Sequence, residues 1–392
     1  MRRLLLLRRS DCDVLIFDSI NISSLRQCVA PRYKTACLDM RNSFPILLDA
    51  DFMLRILRRI PRVLADRTLM SSLAYLWMSA LLETLAPRLI LSCADNNPLI
   101  ARFADEHPTT PVLLVQNALR DTVGSIMPRR SLPIYLAFGE IERAIFQTLG
   151  IHCREYRAIG SLKLGLALTK LAAAPEPQSN LSFISHFRPE MLPQTQSGPD
   201  QTSLQQLIEK NQRALFELCR EYSADNNLLL TVITKSRDDQ TRKIEKEYFE
   251  NLAAGVFIKF IWADKESREL ATYLVGLTSE LIVHPASTLG FELLAAGRKV
   301  ILGATIDPNL IDAWGIHQYV NILPELLRLQ SGDRKHFYEC CNSLRDMSDH
   351  QYRAIIQPVA DTLVSMPKHS LPHQVIESLV DEILGQRSKT FS

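Results

Sequence analysis

The chain has 392 residues, of which 46% are hydrophobic and 22% are charged, and its formal net charge is +2. This composition excludes a disordered chain, a collagen-like repeat and a disulfide-dense scaffold, and the length favours two domains. A near-neutral total also argues against a protein that coats nucleic acid. Residues 1–170 carry 23 Lys+Arg against 15 Asp+Glu, whereas residues 171–392 carry 22 against 28. A basic half is therefore joined to an acidic half.

The eight cysteines form no CxxC pair and no spacing typical of zinc, so we expect buried thiols in a reducing compartment. Near the start, the apolar run Leu4–Leu7 is interrupted by Arg8 and Arg9, which makes it too short for an export signal. The longest apolar stretch, Leu69–Leu85, contains Ser, Thr and Glu and predicts a core helix rather than a membrane span. These features predict a cytoplasmic protein.

Short apolar runs alternate with helical patterns through the first half, which is typical of a parallel sheet covered by helices. The predicted strands are Leu4–Leu7, Val14–Phe17, Leu89–Cys93, Val112–Gln116, Ile134–Phe138 and Arg157–Ile159, and the predicted helices are Ser72–Leu85 and Leu99–Asp105. Several strands run into polar residues, among them Asp18 and Asp95. Ligands of open α/β sheets bind at the carboxyl ends of strands, so we expect a site there.

A proline-containing segment without periodicity, residues 172–180, predicts a linker between domains 1–171 and 181–392. A second α/β series follows, with predicted strands Leu181–Ser185, Leu228–Thr234, Val256–Ile261, Glu280–Val283 and Lys299–Leu302. The pattern from about His336 to Leu384 is helical. Two parallel-sheet, Rossmann-like domains facing a cleft, with a helical C-terminal tail, fit the GT-B architecture of glycosyltransferases. Other two-domain α/β proteins share the pattern.

The most informative segment runs from Glu280 to Leu302, where a buried strand is followed by the turn His-Pro-Ala-Ser-Thr and a helix. Ser287 and Thr288 stand at the start of this helix, where N–H groups and the helix dipole favour an anion, so the turn predicts a phosphate site. Glu292 lies one turn into the helix and is expected to accept hydrogen bonds from a ribose. The alternative is an ordinary strand and capped helix.

The segment HPASTLGFELLAAGRKV resembles the donor-nucleotide segment of GT-B enzymes that build bacterial surface polysaccharides. Its His-Pro followed by paired hydroxyls is also similar to bacterial sialyltransferases, which use CMP-sugars. Further motifs occur in the order seen in the surface carbohydrate biosynthesis family, which is related to the retaining β-Kdo transferases: DVLIFD at 13–18, CADNN at 93–97, QNALR at 116–120, GSLK at 160–163 and ISHFR at 184–188. The chain departs from that pattern at Ala118, where glycine is expected.

The resemblance implies a glycosyltransferase of O-antigen or capsule assembly that transfers Kdo from CMP-Kdo with retention. Its partners would be the nucleotide-sugar donor and a glycan or lipid-linked glycan acceptor, with no nucleic acid. The expected location is cytoplasmic and peripheral to the inner membrane. No acidic pair with metal spacing lies near the segment at 280–302, so neither a required metal nor a cofactor is expected.

In the transition state that this reaction implies, the sugar carries positive charge and the departing phosphate carries negative charge. These charges indicate which residues would bind each group. Ser287, Thr288 and the helix start would bind the phosphate, with His284 as a neighbouring donor. Arg188 and Arg237 would bind the phosphate or the sugar carboxylate, because a guanidinium fits both.

Two aspartates are candidates for the carboxylate chemistry. Asp238 follows the strand Leu228–Thr234 and is the first choice for the nucleophile of a double displacement. Asp95 occupies the matching place in the first domain and would suit the base that activates the acceptor. The alternative for Asp238 is a solvated turn that starts the helix toward Tyr248, and the alternative for Asp95 is a helix cap.

The basic character of the first domain has a local source in four arginines, Arg55, Arg58, Arg59 and Arg62, which share one face of a predicted helix. This face would suit anionic lipid or a phosphorylated, lipid-linked acceptor. The alternative is a solvated face.

Two other functions remain open on the sequence. One is a GT-B glycosyltransferase that uses a UDP- or GDP-sugar, and the other is a non-catalytic GT-B-like subunit of an assembly complex. The pattern GxGxxG does not occur in the chain, which argues against a dinucleotide oxidoreductase.

Overall fold

A computed structural model describes residues 3–7, 11–40, 43–47, 49–64, 69–122, 131–171, 179–191, 202–236, 238–262, 270–366 and 370–389. In chain order its strands are β1 (Arg3–Leu7), β2 (Val14–Phe17), β3 (Thr35–Leu38), β4 (Ser43–Leu47), β5 (Leu89–Ser92), β6 (Val112–Val115), β7 (Ser131–Ala137), β8 (His152–Ala158), β9 (Ser179–Ile184), β10 (Leu230–Ile233), β11 (Ile258–Ile261), β12 (Ser279–His284) and β13 (Val300–Leu302).

The helices of the described residues lie between strands up to β13, and the last five follow it. They are α1 (Ile22–Arg26), α2 (Ala50–Leu64), α3 (Leu69–Leu85), α4 (Pro98–Glu106), α5 (Ile141–Leu149), α6 (Leu162–Leu171), α7 (Thr202–Asp225), α8 (Asp239–Ala253), α9 (Ala271–Leu277), α10 (Thr288–Ala295), α11 (Pro308–Trp314), α12 (His317–Asn321), α13 (Arg334–Asp346), α14 (Asp349–Leu363) and α15 (Pro372–Lys389). None of these helices combines the length and apolar composition needed to cross a bilayer.

Two parallel sheets form the two halves of the molecule, as the alternation predicts. The first has six strands in the order β3-β2-β5-β6-β7-β8, and the second has five in the order β11-β10-β9-β12-β13. Every residue of β2, β5, β6 and β10 is buried, which is why these strands are mostly apolar and show no alternation, with Ser92 and Thr231 as their polar residues. The eight cysteines are free thiols, six of them buried.

Two strands were absent from the sequence prediction, and one predicted strand lies elsewhere. β1 pairs with β4 in a separate two-stranded parallel sheet and does not join the six-stranded one. β4 contains Pro45, which has no backbone N–H to donate to a neighbouring strand. A proline argues against a strand in a sequence pattern, so β4 was not predicted. β3 is a half-exposed edge strand of four residues, so its apolar signal is weak.

The helical region after β13 is confirmed, but its last part packs on the first domain. The Ser365 amide donates to the Phe138 carbonyl at 2.7 Å, and the Arg88 guanidinium donates to the Leu384 carbonyl at 2.7 Å. α15 lies against α6 and β5. Residues beyond about 362 therefore return to the body formed by residues 1–171.

Strand order reverses direction at one place in each sheet. In the first sheet the reversal lies between β2 and β5, and in the second it lies between β9 and β12. Loops that leave neighbouring strands in opposite directions open a crevice at such a point, beyond the carboxyl ends of the strands. The chain therefore has two such places, one per domain, where a ligand site is expected.

Candidate functional site

The crevice of the second domain is formed by the segment after β9 and by the end of β12. His186 comes two residues after β9, and His284 is the last residue of β12. The amide of Ser287 and the start of α10 come directly after His284 in the chain. Three features that can serve an anionic ligand thus meet at one topological switch point.

His284 is a fully buried, neutral imidazole. Its Nδ1 accepts a hydrogen bond from the Ser287 amide at 2.9 Å, and burial lowers its pKa to about 3. A neutral ring that accepts at Nδ1 carries its proton on Nε2. That Nε2 is buried and has no hydrogen-bond partner among the described residues. His284 therefore presents an unsatisfied donor, and its binding of a phosphate stays a prediction.

Close packing holds that ring in place. A Cβ on Gly290 would lie 2.4 Å from atoms of the His284 ring, so only glycine permits this approach of α10. Phe291 meets the ring edge-on at 5.2 Å between centroids. The Gly-Phe pair of the sequence motif thus orients the histidine.

His186 is a second buried histidine, to which the sequence pattern assigned no role. Burial lowers its pKa well below the ordinary value, and the positive charges of Lys235 and Arg188 lower it further. Its amide donates to Gln212 Oε1 at 2.6 Å, and its ring meets Trp314 edge-on at 4.6 Å. Its Nε2 has no partner among the described residues. A histidine directly after a buried strand was the sequence signal that could have identified it.

Ser287 and Thr288 stand where the sequence predicts the phosphate site. Ser287 is the N-cap residue of α10, yet its side chain makes no capping hydrogen bond in the described structure. The Ser287 hydroxyl therefore accepts no hydrogen bond from the first amides of α10, whereas the N-cap hydroxyl of an ordinary capped helix does. Thr288 Oγ1 accepts the amide hydrogen of Leu119 from the first domain at 3.3 Å.

Glu292 faces the first domain. Its carboxylate accepts hydrogen bonds from the hydroxyl of Ser161 and, at 2.9 and 3.1 Å, from that of Tyr273. Burial raises its pKa to about 7. In this arrangement the carboxylate links the domains, and its binding of a ribose stays a prediction.

Of the two arginines predicted to bind the phosphate or the sugar carboxylate, the structure describes Arg188 but not Arg237. Arg188 is exposed, four residues after β9, and its charge reaches His186. Arg237 lies outside the described residues.

The loops after β9 and β10 are organised by buried Glu245, which accepts hydrogen bonds from Ser185 Oγ at 2.6 Å and from the Ser236 amide at 3.0 Å. Glu245 thereby fixes these two loops relative to each other.

Asp238 is exposed, at the carboxyl end of the second sheet, and is the N-cap residue of α8. Its Oδ1 accepts the Thr241 amide at 2.9 Å. This is the helix-start alternative that the sequence left open. Its role as a nucleophile stays a prediction.

Asp95 is buried in a polar cluster of the first domain. Its Oδ2 accepts from the Arg120 guanidinium and from the Tyr135 hydroxyl, the latter at 2.7 Å, and both partners are almost fully buried. The predicted cap is provided instead by Asn97, whose Oδ1 accepts from the Leu99 amide at 2.9 Å. A carboxylate enclosed in this way holds Arg120, so the geometry favours a positioning role, and its action as a base stays a prediction.

Arg120 belongs to a loop, residues 116–122, that crosses between the domains. Its amide donates to the Tyr319 hydroxyl at 3.0 Å, and the Thr122 amide donates to the Gly315 carbonyl at 3.0 Å. Tyr319 in turn donates to buried Glu142 Oε1 at 2.7 Å. The QNALR motif thus connects the first domain to the second. Among the described residues no cluster of three His, Cys, Asp or Glu side chains is arranged to hold a metal ion.

Comparison with known proteins agrees with this architecture. A model of the family described as "putative O-antigen biosynthesis protein" matches residues 150–316, which include His186 and the segment from β12 through α10. A search of curated proteins gives no match.

Solved structures of two kinds align with nearly the whole chain. The wall teichoic acid polymerase TagF aligns with a TM-score of 0.51 at 11% identity, covering 96% of this chain and 90% of that one. The UDP-GlcNAc 2-epimerase of Methanocaldococcus jannaschii, in complex with UDP-GlcNAc and UDP, gives 0.53 at 12%, covering 96% and 100%. The Neisseria meningitidis enzyme bound to UDP-GlcNAc gives 0.51 at 11%, covering 95% and 99%.

Likeness at this identity establishes the fold, and the predicted GT-B architecture of two Rossmann-like domains is confirmed. The family match covers the part of the candidate site that lies in the second domain, from His186 through α10. The chain is thus similar to O-antigen biosynthesis proteins over residues 150–316, and over nearly its whole length it has the fold of these solved structures.

Proposed function

We propose that the chain is a glycosyltransferase that extends a bacterial surface polysaccharide, O-antigen or capsule, with Kdo taken from CMP-Kdo. The observation that carries the proposal is the start of α10, where the Ser287 hydroxyl makes no cap and the neighbouring His284 Nε2 has no partner in the described structure. Unsatisfied donors beside a helix N-terminus suit a phosphate ester. The family match to O-antigen biosynthesis proteins supports the pathway.

In the proposed reaction the bond between the anomeric carbon and the CMP phosphate breaks, and its electron pair leaves with the phosphate oxygen. The helix start, Ser287 and the Nε2–H of His284 stabilise the charge that develops on that oxygen. Because His284 is neutral, it donates a hydrogen bond without first repelling the cationic anomeric carbon. Arg188, exposed beside this place, is assigned to the sugar carboxylate.

Retention requires two displacements. Asp238 is the carboxylate assigned to the first, because it is exposed at the carboxyl end of β10, whereas Asp95 is enclosed by Arg120 and Tyr135. In the first step an oxygen of the Asp238 carboxylate bonds to the anomeric carbon as the phosphate leaves. In the second step the oxygen of the acceptor hydroxyl bonds to the anomeric carbon, the carboxylate leaves, and the hydroxyl proton passes to solvent water. The acceptor is a glycan or lipid-linked glycan, and the reaction takes place in the cytoplasm with no metal required for charge neutralisation.

The experiment measures CMP release and Kdo transfer from CMP-Kdo to a lipid-linked glycan acceptor. His284→Asn keeps an acceptor for the Ser287 amide but removes the Nε2–H, so we expect at least a hundredfold loss of turnover. His152→Asn is the matched control, because His152 is exposed at the start of β8, away from both switch points. Equal turnover in wild type and His284→Asn contradicts the role of His284 in binding the phosphate. Transfer from a UDP- or GDP-sugar, with none from CMP-Kdo, contradicts CMP-Kdo as the donor.

A further inference from the structure

The loop after β6 has three polar side chains in its QNALR motif, and two of them are used within the first domain. Gln116 is buried and donates through its amide group to the carboxylate of Glu142. Arg120 is buried and donates to the carboxylate of Asp95. The third side chain, Asn117, is partly exposed, and no described residue accepts a hydrogen bond from its amide nitrogen. The proposed reaction gives Asn117 no role.

Asn117 is held by an asparagine from the loop after β2. Asn21 Nδ2 donates to Asn117 Oδ1 at 2.8 Å. Strand β5 lies between β2 and β6 in the sheet, so this hydrogen bond spans the end of β5, beside the place where strand order reverses. Because Asn21 binds the carbonyl oxygen of Asn117, the NH2 group of Asn117 remains available to a ligand.

Asn21 makes this contact in an unfavourable conformation. Its backbone is left-handed, with φ +56°, and its side chain makes no capping hydrogen bond although it is the N-cap residue of α1. The side chain is only 8% exposed, and its Oδ1 has no hydrogen-bond partner among the described residues. A left-handed backbone and a buried acceptor without a partner both destabilise a fold. Such costs concentrate at functional sites, and within the described structure the Asn21 side chain hydrogen-bonds to Asn117 alone.

The asparagine pair lies close to the start of α10. Asn117 comes two residues before Leu119, whose amide donates to Thr288 Oγ1 at 3.3 Å. The proposed function places the donor phosphate at Ser287 and Thr288, so the anomeric carbon bonded to that phosphate lies near this contact. An acceptor hydroxyl has to come within about 3.5 Å of the anomeric carbon to react. It therefore enters beside the QNALR loop, where Asn117 has its free NH2 group.

We propose that the NH2 group of Asn117 donates a hydrogen bond to a hydroxyl oxygen of a neutral hexose residue at the end of the acceptor glycan, and that Asn21 is the positioning residue that orients this amide. The inference rests on the proposed function for the place of the donor, and it adds which group of the acceptor is recognised. A carboxamide is a neutral donor that suits a hydroxyl, whereas phosphates are typically bound by charged side chains or helix N-termini. The group recognised here is thus the sugar and not the phosphate of a lipid-linked acceptor.

The test is saturation-transfer NMR on the full-length protein with the methyl glycosides of glucose, galactose, mannose and N-acetylglucosamine, in the absence of a donor. We expect wild type to bind at least one of them, and Asn117→Ala to weaken that binding at least tenfold because it removes the NH2 donor. Asn117→Asp keeps the size of the side chain but has no NH2 group, so it should lose as much affinity. Asn251→Ala, at an exposed asparagine of α8, is the matched control and binds as wild type does.

Asn21→Gly tests the positioning role. Glycine adopts a φ of +56° without strain, so this variant loses only the amide group, and a circular-dichroism melt like that of wild type shows that it is folded. We expect a severalfold weaker affinity for the glycoside. Adding Asn21→Gly to Asn117→Ala should cause no further loss, because Asn21 acts through Asn117. Additive losses in the double variant contradict the positioning role.

Transfer kinetics and nucleotide binding separate this inference from the proposed function. Asn117→Ala should raise the KM for the acceptor at least tenfold and leave the KM for CMP-Kdo within about twofold of wild type. Equal glycoside binding by wild type and Asn117→Ala overturns the inference, and so does binding of none of the four glycosides by wild type. A weaker CMP affinity of Asn117→Ala assigns the residue to the donor and also overturns it. A wild type that transfers no Kdo, but whose glycoside binding is lost in Asn117→Ala, supports this inference and contradicts only the proposed function.

Discussion

The Tyr319 hydroxyl of the second domain donates to Glu142 Oε1 of the first at 2.7 Å, and both side chains are buried. The Ser161 hydroxyl of the first domain donates in the opposite direction, to Glu292 of the second. Each domain thus contributes one buried carboxylate that accepts from a hydroxyl of the other. These contacts link the two domains.

A double-mutant cycle tests the Glu142 and Tyr319 contact. Tyr319→Phe and Glu142→Gln are each expected to lower the free energy of unfolding, with a coupling of about 1–2 kcal/mol, because the hydrogen bond is buried and involves a carboxyl group. The cycle is measured by urea unfolding. Tyr338 and Asp225 form an exposed pair at 2.6 Å and serve as the control, with expected coupling below about 0.5 kcal/mol. Equal coupling free energies in both cycles would show that burial does not strengthen the hydrogen bond between Tyr319 and Glu142.

The two carboxyls also predict how stability depends on pH. Burial raises the pKa of Glu142 and of Glu292 to about 7, above the ordinary 4.5. Between these values the folded chain binds more protons than the unfolded chain, so the free energy of unfolding falls as pH rises from about 4.5 to about 7. Each carboxyl contributes on the order of 3 kcal/mol to this fall.

Glu292→Gln removes one of the two titrations, so its stability relative to wild type is expected to rise between pH 5 and pH 8. Chemical unfolding at a series of pH values measures the difference. Glu247→Gln, an exposed residue of α8, should follow the wild-type curve. A Glu292→Gln curve parallel to that of wild type excludes a raised pKa for this group.

Gly160 marks the place where the chain returns to the first domain. Its φ is +88°, and a Cβ would lie 2.2 Å from the Ser365 carbonyl oxygen. Gly160→Ala is therefore expected to cost about 3 kcal/mol or more. Gly150→Ala separates the two causes, because Gly150 has φ +65° with open space around it, and should cost only about 1 kcal/mol. Equal losses in thermal unfolding would show that the contact with Ser365 does not matter.

Asp238 allows the cap and the nucleophile to be distinguished by one substitution. Asparagine caps a helix as well as aspartate does but is not a nucleophile, so Asp238→Asn should keep its stability within about 0.5 kcal/mol. Its turnover of CMP-Kdo is expected to fall at least a thousandfold. Asp239→Asn, the neighbouring exposed carboxylate, is the control. Near-normal turnover of Asp238→Asn leaves Asp238 as a cap alone.

The sequence predicted elements whose signal is local. The fully buried strand β2 is a continuous apolar run, and the helix after Ser287 ends at Ala295, two residues before Gly297, so their positions agree closely with the structure. β4 was missed because Pro45 interrupts its pattern. The partners of Asp95, Glu292 and Arg55 could not be predicted, because Arg120, Ser161 and Glu83 come from distant parts of the chain.

Titration calorimetry with CMP, UDP and GDP on the full-length protein decides which nucleotide the start of α10 binds. We expect CMP to bind at least tenfold more tightly than UDP or GDP, and His284→Asn to weaken the CMP affinity about tenfold because it removes one charge-assisted hydrogen bond. His152→Asn should bind as wild type does. Tighter binding of UDP or GDP, or binding of none of the three, would contradict a CMP-sugar donor site at the start of α10.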